Sequence, residues 1–285
     1  MTELVAETYS IAALLDAWEG SAHAVSELGK RLTPEQWELP TECPGWSTGD
    51  IVRHCCWVEA LLAGRPLATA DLDWERFPHA QNDFQRMTEV GVEVRRQHTQ
   101  ADVCAELDGL VDLRLAQLMA LDPLALDTEV PGLMGRPVPL QSMLRTRVFD
   151  LWTHEQDLRR ATGLPANLAS PGAQVSAFQM ARSTAFVLAR NLDAPTTTVL
   201  RIVVTGPIAF EAWATVDLDG RGVALDSRLG DDAGATLSLC TDWETYARLG
   251  TGRLDVTDPR VLAALTLEGD PDLAARLPAA LALTP

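Results

Sequence analysis

The chain has 285 residues, of which 47% are hydrophobic, so it is long enough for two domains with buried cores and lacks the composition of a disordered protein. Its formal net charge of −17 argues against a nucleic-acid partner, since such proteins usually carry a basic surface. No apolar stretch is long enough to cross a bilayer, and the N-terminal "MTELVAETYS" lacks the basic start of a secretory signal. We therefore predict a cytoplasmic protein with no membrane partner.

The first two-thirds of the chain is predicted to be helical, because its apolar residues recur at helical spacing. A connector containing three prolines, "LTPEQWELPTECPGW", precedes "STGD", where Ser47 and Asp50 form a capping box that opens a helix. A break is predicted near Thr99, and "DTEVPGLMGRPVPL" is predicted to be a loop. The predicted helical ranges are 4–32, 47–64, 82–97, 99–122, 140–161 and 172–190.

The last third changes to β-branched runs separated by Gly and Asp turns, which predict a small mixed α/β domain. We place the boundary near Leu192 to Thr196, so that residues 1–193 form the helical domain and 194–285 the α/β domain. Strands are predicted at 196–206, 208–220, 222–228 and 235–240, followed by a short helix at 241–250 and a closing segment at 260–281.

The helix predicted at 140–161 places an acid and a histidine one turn apart. Asp150 and His154 are four positions apart, so their side chains lie on the same helix face. They can hydrogen-bond to each other or converge on one metal ion, and the local spacing leaves both alternatives open.

A second histidine lies on the helix that Ser47 opens. His54 shares a face with apolar residues and therefore needs a polar partner. It is either a core histidine bonded to a carbonyl or carboxylate, or a third ligand beside Asp150 and His154. Two histidines and one carboxylate with an open position make a catalytic site for Zn²⁺ or another divalent metal, and helical bundles build such sites from facing helices.

Two motifs carry a resemblance to a known family. The segment "LTPEQWELPTECPGWSTGDIVRH" resembles the first signature of the mycothiol-dependent maleylpyruvate isomerase family, a branch of the DinB-like four-helix metalloproteins, and "RVFDLWTHEQDLRRATGLP" is similar to its second. "LGTGR" and "EGDPDLAARL" resemble the family's second domain, a small sterol-carrier-like unit. The resemblance implies a DinB-like four-helix bundle followed by a sterol-carrier-like mixed α/β domain.

The resemblance also implies a function and a site. The metal ligands would be His54, Asp150 and His154, with aspartate where the isomerase often has glutamate. Mycothiol would be the thiol cosubstrate, adding to a cis double bond of an electrophilic small molecule and leaving after rotation, so that the trans isomer forms. The same site could serve a thiol S-transferase in detoxification or natural-product biosynthesis. A non-catalytic binding or regulatory protein is a further alternative.

Several other residues have two interpretations each. The resemblance implies a cation from the second domain, for which Arg253 is our candidate, although it could equally be a surface residue after a helix. Trp46 is either an anchor at the helix entrance or a pocket wall. Cys55 and Cys56 are expected to pack as small apolar residues, because the five cysteines show no CxxC spacing.

The protein is expected to be a monomer or weak dimer.

Overall fold

The computed structural model describes residues 9–121, 124–133, 135–226 and 234–284. Contacts divide this part of the chain into a helical unit, Tyr9–Asn167, and a sheet unit that begins at Leu168. A helical N-terminal region followed by a sheet-containing C-terminal region confirms the predicted fold class. The division comes earlier than the boundary predicted at 193/194, because the helices that follow Leu168 pack against the strands.

The helical unit contains the helices expected from the sequence, and also a short helix, Pro34–Trp37, inside the segment that was predicted to be a connector. Residues 4–8 of the first predicted helix lie outside the described residues, and the side chain of Ser10 caps the helix that begins at Ile11. Thr99 caps another helix, so the predicted break is confirmed. The helices are α1 (Ile11–Arg31), α2 (Pro34–Trp37), α3 (Thr48–Leu62), α4 (Asp83–Arg95), α5 (Gln100–Met119) and α6 (Leu140–Ala161).

Four of these helices form a bundle. α1 packs against α5 and α6, and α3 packs against α1, α5 and α6. α4 lies on the outside of α3, and their close approach requires Gly91, since a methyl group there would overlap the Trp57 indole. The largest side chains of the bundle are fully buried, among them Trp18, Ile51, Leu107, Leu144 and Trp152.

The predicted loop before α6 is instead a short hairpin. Strand β1 (Glu129–Pro131) pairs antiparallel with β2 (Pro137–Pro139), so the prediction of a loop there was wrong. The three prolines are compatible with this pairing because the hydrogen bonds at the two ends of the ladder are donated by other residues, Gly132 to the carbonyl of Arg136 and Leu140 to the carbonyl of Thr128. Hydrogen-bonded and non-hydrogen-bonded residue pairs alternate along an antiparallel ladder, and the prolines lie in the non-hydrogen-bonded pairs, where no N–H is needed.

In the residues that the structure describes, the sheet unit has five strands in the order β5-β4-β3-β6-β7, and of the neighbouring pairs only β3 and β6 run parallel. Residues 227 and 228 of the third predicted strand lie outside the described residues. The aromatic residues Phe210, Trp243 and Tyr246 pack against one another in the core. The elements are α7 (Pro171–Arg182), α8 (Thr184–Phe186), β3 (Val199–Thr205), β4 (Phe210–Val216), β5 (Gly222–Leu225), β6 (Leu237–Asp242), α9 (Trp243–Gly250), α10 (Pro259–Leu262), β7 (Thr266–Gly269) and α11 (Pro271–Ala280). Among the described residues, no helix has the length and apolar character needed to span a membrane.

Candidate metal centre

Two helices of the bundle bring the three predicted ligands together. The capping box of Ser47 and Asp50 is present and starts α3, whose second turn carries His54. α6 carries Asp150 and His154 one turn apart. One nitrogen or oxygen atom from each of these three side chains lies within 4.8 Å of the other two.

The spacing of the atoms suits one small ion. His54 Nε2 lies 3.5 Å from Asp150 Oδ2, and His154 Nε2 lies 3.7 Å from Asp150 Oδ1. Ligands bonded to a tetrahedral zinc ion at about 2.1 Å are roughly 3.4 Å apart. The two imidazole rings meet edge to face with centroids 4.7 Å apart, so both histidines offer Nε2 to the same space beside the carboxylate.

The hydrogen bonding of His54 also fits a metal. Its side chain is 7% exposed, yet neither of its ring nitrogens makes a hydrogen bond. A buried imidazole nitrogen that lacks a hydrogen bond is costly, because burial removes the water that would bond to it. A divalent ion on Nε2 would satisfy one of these atoms, so the residues present fit the group that the family motif implies.

The protonation states favour ligation. Burial lowers the pKa of His54 to about 4, although the nearby Asp150 carboxylate offsets part of the effect. Burial acts to raise the pKa of Asp150, but the Arg147 guanidinium and the two imidazoles hold it well below its usual range. At neutral pH His54 is therefore neutral and Asp150 ionised, which are the forms that bind a metal.

Comparisons with known proteins cover the helical unit and most of the chain. Residues 14–159 match the family model described as the mycothiol maleylpyruvate isomerase N-terminal domain. The chain belongs to this family. Its fold is similar to the crystal structure of the mycothiol-dependent maleylpyruvate isomerase and to that of a histidine-to-alanine mutant of that enzyme. Both have a TM-score of 0.58, at 13% and 12% identity, and cover 94% of this chain and 96% of the solved chain. No curated protein matches the sequence.

In this member of the isomerase family, a buried ion-pair network that the sequence did not predict holds Asp150. Arg147 is fully buried and donates from Nη1 to Asp150 Oδ2 at 2.6 Å. Its Nε and Nη2 donate to Glu59 Oε1 on α3 at 3.1 and 3.0 Å. Glu59 also accepts from the indole of Trp18 and pairs with Arg114. The guanidinium thus fixes the carboxylate that faces both histidines.

Trp46 is placed as a wall of this centre and is also anchored. Its ring lies 4.8 Å from the His54 ring and 6.2 Å from the His154 ring, centroid to centroid. Its indole N–H donates to Glu89 Oε2 at 2.8 Å, and Glu89 is buried and also bonded to His79. Both interpretations of Trp46 from the sequence therefore describe part of its role.

The protein thiols next to His54 in sequence are unsuited to nucleophilic chemistry. Cys55 and Cys56 are fully buried, as expected for small apolar residues. Burial and the negative charge of Asp150 raise the pKa of Cys55 well above its usual range, and burial does the same for Cys56. Since the thiolate is the reactive form, neither of these two cysteines is suited to supply the nucleophile.

Arg253 belongs to the sheet unit, where it follows α9. It is 7% exposed and donates from Nη1 to the carbonyl of Thr251 at 2.7 Å, so it is not a surface residue. Its role as the cation for the substrate stays a prediction, as does metal ligation by the three residues of the centre.

Proposed function

We propose that the chain is a mycothiol-dependent metalloenzyme with maleylpyruvate isomerase-like activity, the cis-trans isomerisation of an electrophilic substrate by thiol addition and elimination. The observation that supports the proposal is the convergence of His54, Asp150 and His154 on one space, with both buried nitrogens of His54 lacking a hydrogen bond. Membership of the isomerase family points in the same direction. A thiol S-transferase that uses the same centre is the alternative, and we propose a cytoplasmic location for either.

The three side chains would hold a divalent metal, with Zn²⁺ as our proposal, because two imidazoles and a carboxylate are a donor set of catalytic zinc sites. When bound, the metal supplies a positive charge that favours the thiolate form of the thiol cosubstrate. Arg147 keeps the Asp150 carboxylate ionised and oriented. The apolar face of Trp46 against the two imidazoles limits the access of water.

Metal content tests the centre. Protein purified without chelator should carry about one zinc per chain by elemental analysis, and His54→Ala/His154→Ala should carry almost none, since one carboxylate does not hold zinc. A matched control is His23→Ala/His98→Ala, which removes two histidines outside the centre and should keep the metal. Equal zinc in both double variants would refute the ligand assignment.

The products distinguish the two activities. The purified protein is incubated with mycothiol and either a cis-configured unsaturated dicarboxylate or a neutral electrophile, and the products are separated by liquid chromatography, which resolves cis from trans isomers, and identified by mass spectrometry. An isomerase gives a product of unchanged mass and regenerates the thiol, whereas a transferase gives a stable conjugate. Zinc binding without either product would leave the centre in place and refute the proposed activity.

A further inference from the structure

The carboxylate of Asp157 lies behind the metal centre, between two donors. Asp157 is fully buried on α6, one turn beyond His154. Its Oδ2 lies 3.1 Å from His154 Nδ1, and its Oδ1 accepts a hydrogen bond of 2.9 Å from Arg160 Nη2. Arg160 is in turn paired with Glu42, its Nε lying 2.7 Å from Glu42 Oε2.

The donors and acceptors determine the tautomer of His154. A guanidinium only donates and a carboxylate only accepts, so Arg160 donates to Oδ1 and the contact between Oδ2 and His154 needs a hydrogen from the imidazole. Nδ1 of His154 must therefore carry a proton. In a neutral imidazole the other nitrogen then has a lone pair, and Nε2 is the atom that lies 3.7 Å from Asp150.

His54 has no hydrogen bond of this kind to orient its ring. Neither of its ring nitrogens makes a hydrogen bond, and its orientation depends on packing against Trp46 and Trp57. Of the two histidines, only His154 has a tautomer that hydrogen bonding dictates.

We propose that Asp157, held by Arg160, is a positioning residue that fixes the Nδ1–H tautomer of His154 and thereby prepares Nε2 to bind the metal. The inference rests on the metal centre proposed above and deepens it. A carboxylate behind a ligating histidine increases the basicity of the imidazole and holds the ring in place. The interaction is made within one helix, so it is present before any metal binds.

The test uses the difference between a carboxylate and an amide. An asparagine at position 157 offers one acceptor to two donors. Since the charged guanidinium makes the stronger hydrogen bond, the amide oxygen should turn to Arg160 and the NH₂ group to His154. Nδ1 must then accept, and the proton moves to Nε2, where it blocks the metal. Asp157→Asn should therefore weaken zinc binding by about 10- to 100-fold.

Rescue separates positioning from a general loss of structure. In Asp157→Asn/Arg160→Met the amide oxygen has no guanidinium to satisfy and can accept from His154 Nδ1–H. Zinc affinity, measured by competition with a chromophoric chelator, should return close to that of Arg160→Met alone. Glu155→Gln is the matched control: Glu155 is a buried carboxylate of the same helix that accepts from Arg159 and Asn167, and its loss should leave zinc affinity unchanged.

A second measurement needs no metal. Nitrogen-15 NMR of histidine-labelled, chelator-treated protein distinguishes protonated from unprotonated ring nitrogens. It should show His154 protonated at Nδ1 in the original protein and at Nε2 in Asp157→Asn. An unchanged tautomer, unchanged zinc affinity in Asp157→Asn, or failure of the double variant to recover would overturn the inference. Absence of zinc binding in the original protein would instead refute the proposed centre, while the NMR result would still decide the role of Asp157.

Discussion

The burial of His54 predicts how the stability of the metal-free protein depends on pH. In an exposed side chain this imidazole has a pKa of 6.5, and in the folded protein burial lowers it to about 4. As the pH falls below about 6.5, the unfolded chain takes up a proton at His54 that the folded chain does not take up until about pH 4. Acid therefore favours the unfolded state progressively across this window, and the stability is regained as the pH rises.

The size of the effect follows from the two pKa values. One pKa unit corresponds to about 1.4 kcal/mol, so lowering the pH from about 7 to about 5 should cost the folded state about 2 kcal/mol through His54 alone. The low pKa of Asp150 contributes little in this range, because that carboxylate stays ionised in both states until the pH approaches its ordinary pKa of 3.8.

Urea denaturation of chelator-treated protein, followed by far-UV circular dichroism at both pH values, measures this effect. His54→Gln should lose about 2 kcal/mol less on acidification than the original protein, because it lacks the group that titrates. The control is His23→Gln, whose imidazole is 44% exposed and pairs with Glu19, and it should behave like the original protein. An equal loss in His54→Gln would show that the imidazole is not buried neutral and would refute the reasoning.

Two further predictions concern arginines of the two units. Arg147→Met should reduce the free energy of unfolding, measured by urea denaturation, by about 3 to 5 kcal/mol, because it leaves Glu59 buried without this partner. Arg147→Lys should lose less stability. Equal stability of the original protein and both variants would contradict the network. If Arg253 provides the cation for a dicarboxylate, Arg253→Ala should reduce its turnover by a factor of roughly 100 to 1000 and leave zinc content unchanged. A full rate on the dicarboxylate would remove this role and favour the S-transferase.

The sequence predicted the local parts of the centre well. Capping by Ser47 and the spacing of Asp150 and His154 depend only on residues within one helical turn, so they can be read directly from the sequence. Predicting that His54 lies beside them required the family resemblance, because the spacing of residues along α6 says nothing about a residue on another helix. The structure confirms the proximity, and ligation itself stays a prediction.

Contacts between segments far apart in the chain could not be predicted from the sequence. Glu59 and Arg147 are 88 positions apart, and nothing in either helix marks the other as its partner. The hairpin of β1 and β2 was missed because three of its six residues are prolines, whose tolerance depends on which strand positions need an N–H. The early division at Leu168 likewise depends on helices that pack against a sheet formed later in the chain.

The support of the centre comes largely from one face of α6. Positions 147, 150, 154 and 157 are spaced by three or four residues, so they follow one another along the helix surface. Asp150 and His154 face the candidate site, while Arg147 and Asp157 bond to them from either side. Because these contacts are made within a single rigid element, the acid and His154 are oriented before any metal binds, whereas His54 depends on the packing of α3 beside it. We therefore expect changes in helix packing to act on metal affinity through His54 rather than through the pair on α6.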